Sequence, residues 1–321
     1  PRWMRRLASA MTLLLFGVCA FDAAAAEPAP RASTFEVESL ADGVWLFRPA
    51  GNRTDLTNAL VVERGDGLLV VESQPSPDAA REFLAELKKV SDRAPRYLVL
   101  AHPHAESSGG ASAFPSSTLL IGTKRCRDAL ENPEFDFGAE ARLRAERPRD
   151  WIEPPRTLPT LTLHARASLE DPRNPVDLLP VSHAHTDGDM LVQLPEANII
   201  YAGAILPADR NPYAVDARAG KWLNTLNSLA EFRPSTIIPL HGPALDLRDL
   251  RVLRDGFAWI RGQVEMGFVE GFASQRIPGW IMESDEIGER FDLEARPNFV
   301  RGLVEQAVAE AVEQRKKRSY E

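Results

Sequence analysis

Five of the six histidines in this 321-residue chain fall in three short motifs. "HPHAESSGG" at 102–110 carries His102 and His104, then Glu106, Ser107 and a glycine pair. "SHAHTDGD" at 182–189 carries His183 and His185, and "LHGP" at 240–243 carries His241. In an extended segment residues i and i+2 project to the same side, so a His-x-His pair offers two imidazoles to one ion. Zinc takes such nitrogens at about 2.0–2.1 Å, and its catalytic sites usually keep three protein ligands and one open position. Water on such an ion ionises near pH 7, and the resulting hydroxide can attack an ester, thioester or lactam carbonyl. Glu106 is the candidate base or proton shuttle for that attack. His164, alone in the alternating stretch "LTLHARA", reads as a surface or structural histidine.

The elements that must hold these motifs are legible as apolar runs and breaks. "GVWLF" (43–47), "ALVVER" (59–64) and "LLVVES" (68–73) read as strands, the last two joined through the turn "GDG". "SPDAAREFLAELKKVSD" (76–92) reads as a helix, with Ser76 or Asp78 as cap and Pro77 in its first turn. "RYLVL" (96–100) is a further strand, so the first motif follows a strand–helix–strand unit. Ligands collect beyond the C-terminal ends of strands in such units. Downstream, "MLVQLP" and "NIIYAG" form a hairpin, "GKWLNTLNSLAEF" an amphipathic helix, and "TIIPLHGP" a strand running into a loop. From Arg248 onward the pattern is helical, with Phe257, Trp259, Phe268 and Phe272 placed as core residues rather than a docking face.

With the motifs in this order, the chain resembles the metallo-β-lactamase fold superfamily over roughly residues 35–245. "HPHAESSGG", "AHTDGD", "YAGAIL" and "LHGP" stand where that family has its metal-binding segments. The resemblance implies an α/β fold, the αββα metallo-β-lactamase sandwich, here over 35–247 and followed by a C-terminal helical extension over 248–321. It implies that His102, His104 and His185 form a three-histidine first metal site and that His241 is the last ligand of a second. Glu106 stands where the family has an aspartate, Ser107 where many members have a histidine, and Ala204 where a bridging Asp or Cys belongs. Glu72 replaces a supporting aspartate. The second site therefore keeps at most Glu106 and His241, and one zinc ion is expected. His183 lies outside the family pattern and is placed to face the same cavity. The function implied is a zinc-dependent metallohydrolase acting on a small-molecule substrate. The alternative is a catalytically weak or inactive metal-binding protein of the same fold in a periplasmic redox system, and the likeness to periplasmic members suggests a quinoprotein or other redox partner.

Composition narrows the setting. Arg2, Arg5 and Arg6, the apolar run after them and "DAAAAEPAP" read as a signal peptide over 1–26, followed by a linker over 27–34 and implying a periplasmic or secreted protein. The apolar run is shorter than the ~20 residues of a spanning helix, so no stable membrane insertion is expected after cleavage. The net charge is −8, and losing the segment's three Arg and one Asp, a net +2, would leave −10. So acidic a protein is a poor partner for nucleic-acid phosphates. Of the two cysteines only Cys126 would remain, which excludes an internal disulfide.

Overall fold

Neighbouring residues of one strand belong to different cores. In β3 (Ala59–Arg64), Ala59 and Val61 pack with Phe83 and Leu87 of α1 (Pro77–Val90), whereas Leu60 and Val62 pack against a second sheet. That period-two division is what a sheet covered on both faces requires. The computed structural model describes residues 33–319 apart from 52, 140–151, 208–213, 215, 292 and 294–296. The expected signal segment and all but the last two residues of the expected linker lie outside the described residues.

The first sheet holds seven strands side by side in chain order. β1 (Phe35–Ala41), β2 (Val44–Pro49), β3 and β4 (Gly67–Val71) are antiparallel. β4, β5 (Pro95–Val99), β6 (Leu119–Thr123) and β7 (Leu161–Leu163) are parallel. The second sheet runs β12 (Thr236–Pro239), β11 (Ile199–Gly203), β10 (Met190–Leu194), β9 (Val176–Pro180), β8 (Ala167–Leu169). Its pairs are antiparallel except β11 with β12. Val44, Leu69, Val99 and Ile121 of the first sheet meet Leu178, Val192, Tyr201 and Ile238 of the second in one buried layer.

Helices close the outer faces and make the αββα sandwich. On the first sheet lie α1 and α3 (Lys124–Glu131), through Phe83, Leu87, Cys126 and Leu130. The α1 helix begins as its sequence suggests: the Ser76 hydroxyl accepts from the Ala79 N–H, Pro77 follows, and Lys88 and Lys89 occupy the last turn. On the second sheet lie α4 (Ala219–Glu231), α5 (Leu247–Val269), α6 (Ile277–Met282), α7 (Asp285–Arg290) and α8 (Pro297–Arg318). A capping box between Asp246 and Asp249 starts α5. Phe257, Ile260, Phe299 and Leu303 share a core with Trp222 and with Ile200 and Ile237 of the sheet. The C-terminal helices are thus built onto the second sheet. Phe257 is buried in that core, and Trp259, Phe268 and Phe272 pack on it half-buried.

Candidate metal centre

Each sequence motif sits where a strand of the sandwich ends. "HPHAESSGG" follows β5 and forms a bend and the short α2 (Ala105–Ser108). "SHAHTDGD" joins β9 to β10, and "LHGP" follows β12. The first loop is held by its own hydroxyls. Ser107 Oγ accepts from the His102 N–H at 3.3 Å, and Ser108 Oγ donates to the Pro103 and His104 carbonyls at 3.0 Å each. The two glycines that follow let the loop lie directly on the 73–76 segment. A Cβ on Gly110 would come 2.1 Å from the Ser73 carbonyl oxygen, and one on Gly109 would come 2.3 Å from that of Pro75. The second loop is organised by Asp189, whose carboxylate accepts from the Thr186 and Ala184 N–H groups. The Thr123 hydroxyl caps α3 and donates to the Gly188 carbonyl at 3.0 Å, tying this loop to the first sheet.

These loops bring His102, His104, Glu106 and His185 together. One donor atom from each lies within 4.8 Å of all the others, and all four residues are buried. His102 Nε2 is 2.9 Å from Glu106 Oε1, which lies 3.5 Å from His104 Nδ1, and His104 Nδ1 is 3.1 Å from His185 Nε2. Four ligands at ~2.0–2.1 Å on a tetrahedron stand about 3.3 Å apart, so these separations fit a single ion. The remaining oxygen of Glu106, Oε2, is buried without a hydrogen-bond partner. Burial pushes the Glu106 carboxyl up, but the His102 and His104 imidazoles outweigh it and hold the group well below the usual carboxylate range. A buried carboxylate among three imidazole nitrogens is a donor set that suits a transition metal.

Residues outside the motifs fix the imidazoles. His104 Nε2 donates to Asp216 Oδ2 at 2.9 Å, which leaves Nδ1 as the metal-facing lone pair. Phe135 stacks on the His104 ring at 5.4 Å and 7°, and Trp222 of α4 meets the His185 ring edge-on at 5.7 Å. None of these three carries a sequence signal for such a role, because each comes from a distant segment. Asp189 was visible in "HTDGD" only as part of the motif.

The other singled-out residues lie around this group. His241 is buried after β12 but is not one of the four. The neighbouring Asn58 side chain, just before β3, ties that strand to the end of β12 and the loop after it, donating to the Pro239 and Gly242 carbonyls at 2.9 Å each. His183, expected to face the same cavity, is half-buried and not one of the four: its Nε2 donates to the Asp216 carbonyl at 2.5 Å and its Nδ1 stands 3.4 Å from Asp187. Ala204 is buried just past β11 and offers no ligand atom. His164 is exposed. Cys126 is buried, and burial, with Glu72 and Asp189 nearby, pushes its thiol well above the ordinary range, so it is no nucleophile. Glu72 is fully buried with φ 77°, and neither carboxylate oxygen makes a hydrogen bond of good geometry. Burial raises it to about 8, an effect that the nearby Ser107 and Tyr201 hydroxyls only partly offset.

Comparisons with known proteins identify the family and the fold. A family model described as the metallo-beta-lactamase superfamily matches residues 52–241. The chain is 24% identical over 245 residues to a linear primary-alkylsulfatase of Pseudomonas sp. (strain ATCC 19151), covering 63% of this chain and 46% of that protein. It is 23% identical over 227 residues to a metallo-beta-lactamase type 2 of Bacillus sp. (strain 170), covering 66% of this chain and 78% of that one. The chain thus spans about half the length of the alkylsulfatase that it matches. Among solved structures, a metallo-beta-lactamase from Pontibacter korlensis superposes with a TM-score of 0.55 at 18% identity, over 68% of this chain and 95% of that one. A stereoselective inverting sec-alkylsulfatase from Pseudomonas sp. superposes with a TM-score of 0.67 at 14% identity, over 85% of this chain and 50% of that one.

Proposed function

The chain belongs to the metallo-beta-lactamase superfamily, and from that premise we propose that it is a zinc-dependent hydrolase. One observation carries the reading: three imidazoles and a carboxylate, all buried, converge within 4.8 Å at the strand ends. His102 and His185 present Nε2 and His104 presents Nδ1, with Asp216 holding the His104 proton on the far side. We assign one zinc to the three imidazoles of this group, with Glu106 beside the open fourth position. When bound, zinc supplies Lewis acidity and an acidified water.

The chain's own residues do the rest. Glu106, kept ionised by His102 and His104, takes up the proton released in the attack, and its unpartnered Oε2 is the atom available for it. Burial of the four residues excludes bulk water and strengthens each of these interactions. The bond cleaved on this reading is an ester, thioester or lactam. A sulfate ester is the second reading, supported by the sec-alkylsulfatase fold covering 85% of this chain where the Pontibacter lactamase covers 68%. We also propose export, on the strength of the Arg-rich and apolar segment at 1–26; N-terminal sequencing of the protein recovered from its cells would find Met4 or Pro1 retained if that is wrong.

The test is turnover by the zinc-supplied chain of 4-nitrophenyl acetate, a chromogenic cephalosporin and 4-nitrophenyl sulfate, beside His185→Ala. The expected result is metal-dependent hydrolysis of at least one, reduced to background in the folded variant. Absence of turnover with all three in a zinc-loaded chain would favour the non-catalytic alternative.

A further inference from the structure

A cationic groove opens next to the metal centre, between the 182–189 loop, α4 and α8. One cavity of about 400 Å³ is lined by Arg125, Arg218, Lys221, Arg261 and Lys317 together with Asp187, Glu310 and Glu313. A neighbouring cavity of about 340 Å³ shares Arg125, His183, Asp187 and Lys221 with it. The combined space suits a small organic molecule. In a chain of net charge −8, such a concentration of cations stands out.

Most of the charges are matched. Asp187 pairs with Arg125 at 2.5 Å, and Glu313 pairs with Lys317 at 2.8 Å and Arg218 at 3.4 Å. One oxygen of Glu310 accepts from the Gly220 N–H in the first turn of α4 at 2.9 Å. Lys221 and Arg261 remain, neither in a direct ion pair among the described residues, although Glu313 lies within electrostatic reach of Lys221. Gly220 leaves room where Glu310 and Arg261 converge: a Cβ there would come 2.8 Å from Glu310 Oε2 and 3.4 Å from Arg261 Cζ, so a carboxylate borders the same space. The N-terminal end of α4, the positive end of its dipole, borders the same space. His183 connects the groove to the metal centre, since it donates to the carbonyl of Asp216, whose carboxylate holds His104.

We propose that this groove binds an oxyanion of the sulfate or phosphate type, with Lys221 and Arg261 as its recognition residues. The ligand is either a free anion or the head of a larger molecule. Arg261 offers the planar fork suited to two oxygens, and Lys221 a mobile point charge at the rim. Binding here does not depend on the hydrolase reading, because a catalytically inert chain would bind the same anion.

The test is calorimetric titration of the full chain with inorganic sulfate and with phenyl sulfate, before and after metal removal. The proposal predicts saturable binding that survives metal removal and weakens about tenfold or more in the Lys221→Ser/Arg261→Gln chain. Tighter binding of phenyl sulfate would identify a head-group site, and equal affinities a free-anion site. Lys221→Glu, an exposed charge reversal, should weaken binding with the melting temperature unchanged, while Lys88→Ser on α1 should do nothing. Unchanged affinity in both groove variants, no saturable binding of either anion, or binding lost with the metal would each overturn the proposal.

Discussion

Asp216 is the residue on which the tautomer of His104 depends, and it sits far from every histidine motif. With Asp216→Ala we expect metal affinity to fall by about 10–100-fold, as for other partners of metal-binding histidines. Chelator competition would measure it, and Asp216→Asn should recover part of the loss because an amide oxygen still accepts. Glu72 supplies a pH dependence. Its folded-state carboxyl titrates at about 8 instead of the ordinary 4.5 because it is buried. The folded chain therefore holds that proton where the unfolded chain has released it. Stability from this group is intact below about pH 4.5 and is lost progressively as pH rises through 8. Thermal melts of the metal-free chain should fall across that range, and Glu72→Gln should flatten the fall; an unchanged slope would contradict the assignment. At this scale the sequence was most informative where donors are close in the chain. His102, His104 and Glu106 lie within five residues, and the position of His185 followed from the motif order. Asp216, Phe135 and Trp222 were not legible, because their roles arise only when separate segments meet.

Elements position the site through close backbone approaches more than through caps. Gly188 is the clearest case, since a Cβ there would meet the Cys126 Cα at 2.7 Å and N at 2.9 Å. Gly188→Ala must displace either the 182–189 loop or the start of α3, which is expected to cost about 1–3 kcal/mol. Differential scanning calorimetry would show it as a lowered midpoint, with weaker metal binding alongside because His185 shares the loop. By contrast, Ser76→Ala removes only the cap of α1, and we expect about 1 kcal/mol with metal affinity unaltered. The strands β3, β4, β5, β10, β11 and β12 and the helices α1 and α4 were readable, since their apolar runs are bounded by turn or cap residues. β1 was not, because the residues along "FEVES" are mostly exposed in an edge strand, and β9 was hidden in a stretch between prolines. The α3 segment "KRCRDALE" buries only Cys126 and Leu130, too few for a clear period.

On the scale of the whole molecule, the sandwich and its C-terminal helices share one continuous support for the site. Trp222 touches the His185 ring on one side and packs against Phe257 and Phe299 on the other, at 5.1 and 5.9 Å. A defect in α5 should therefore reach the metal centre. Phe257→Ala is expected to cost about 3–5 kcal/mol, read from chemical denaturation, and to loosen metal binding as well. Among the described residues no helix is long and apolar enough to cross a membrane. The helical character of residues beyond 248 was legible from spacing, but their fusion to the second sheet was not, because that contact joins segments distant in the chain. The central claim is that His102, His104 and His185 hold one metal ion, with Glu106 beside it. Its most direct test is elemental mass spectrometry of the zinc-supplied, dialysed chain beside His102→Ala. The account predicts close to one zinc per chain in the wild type and almost none in the variant. A wild type that retains no metal, or a variant that retains all of it, would contradict the account.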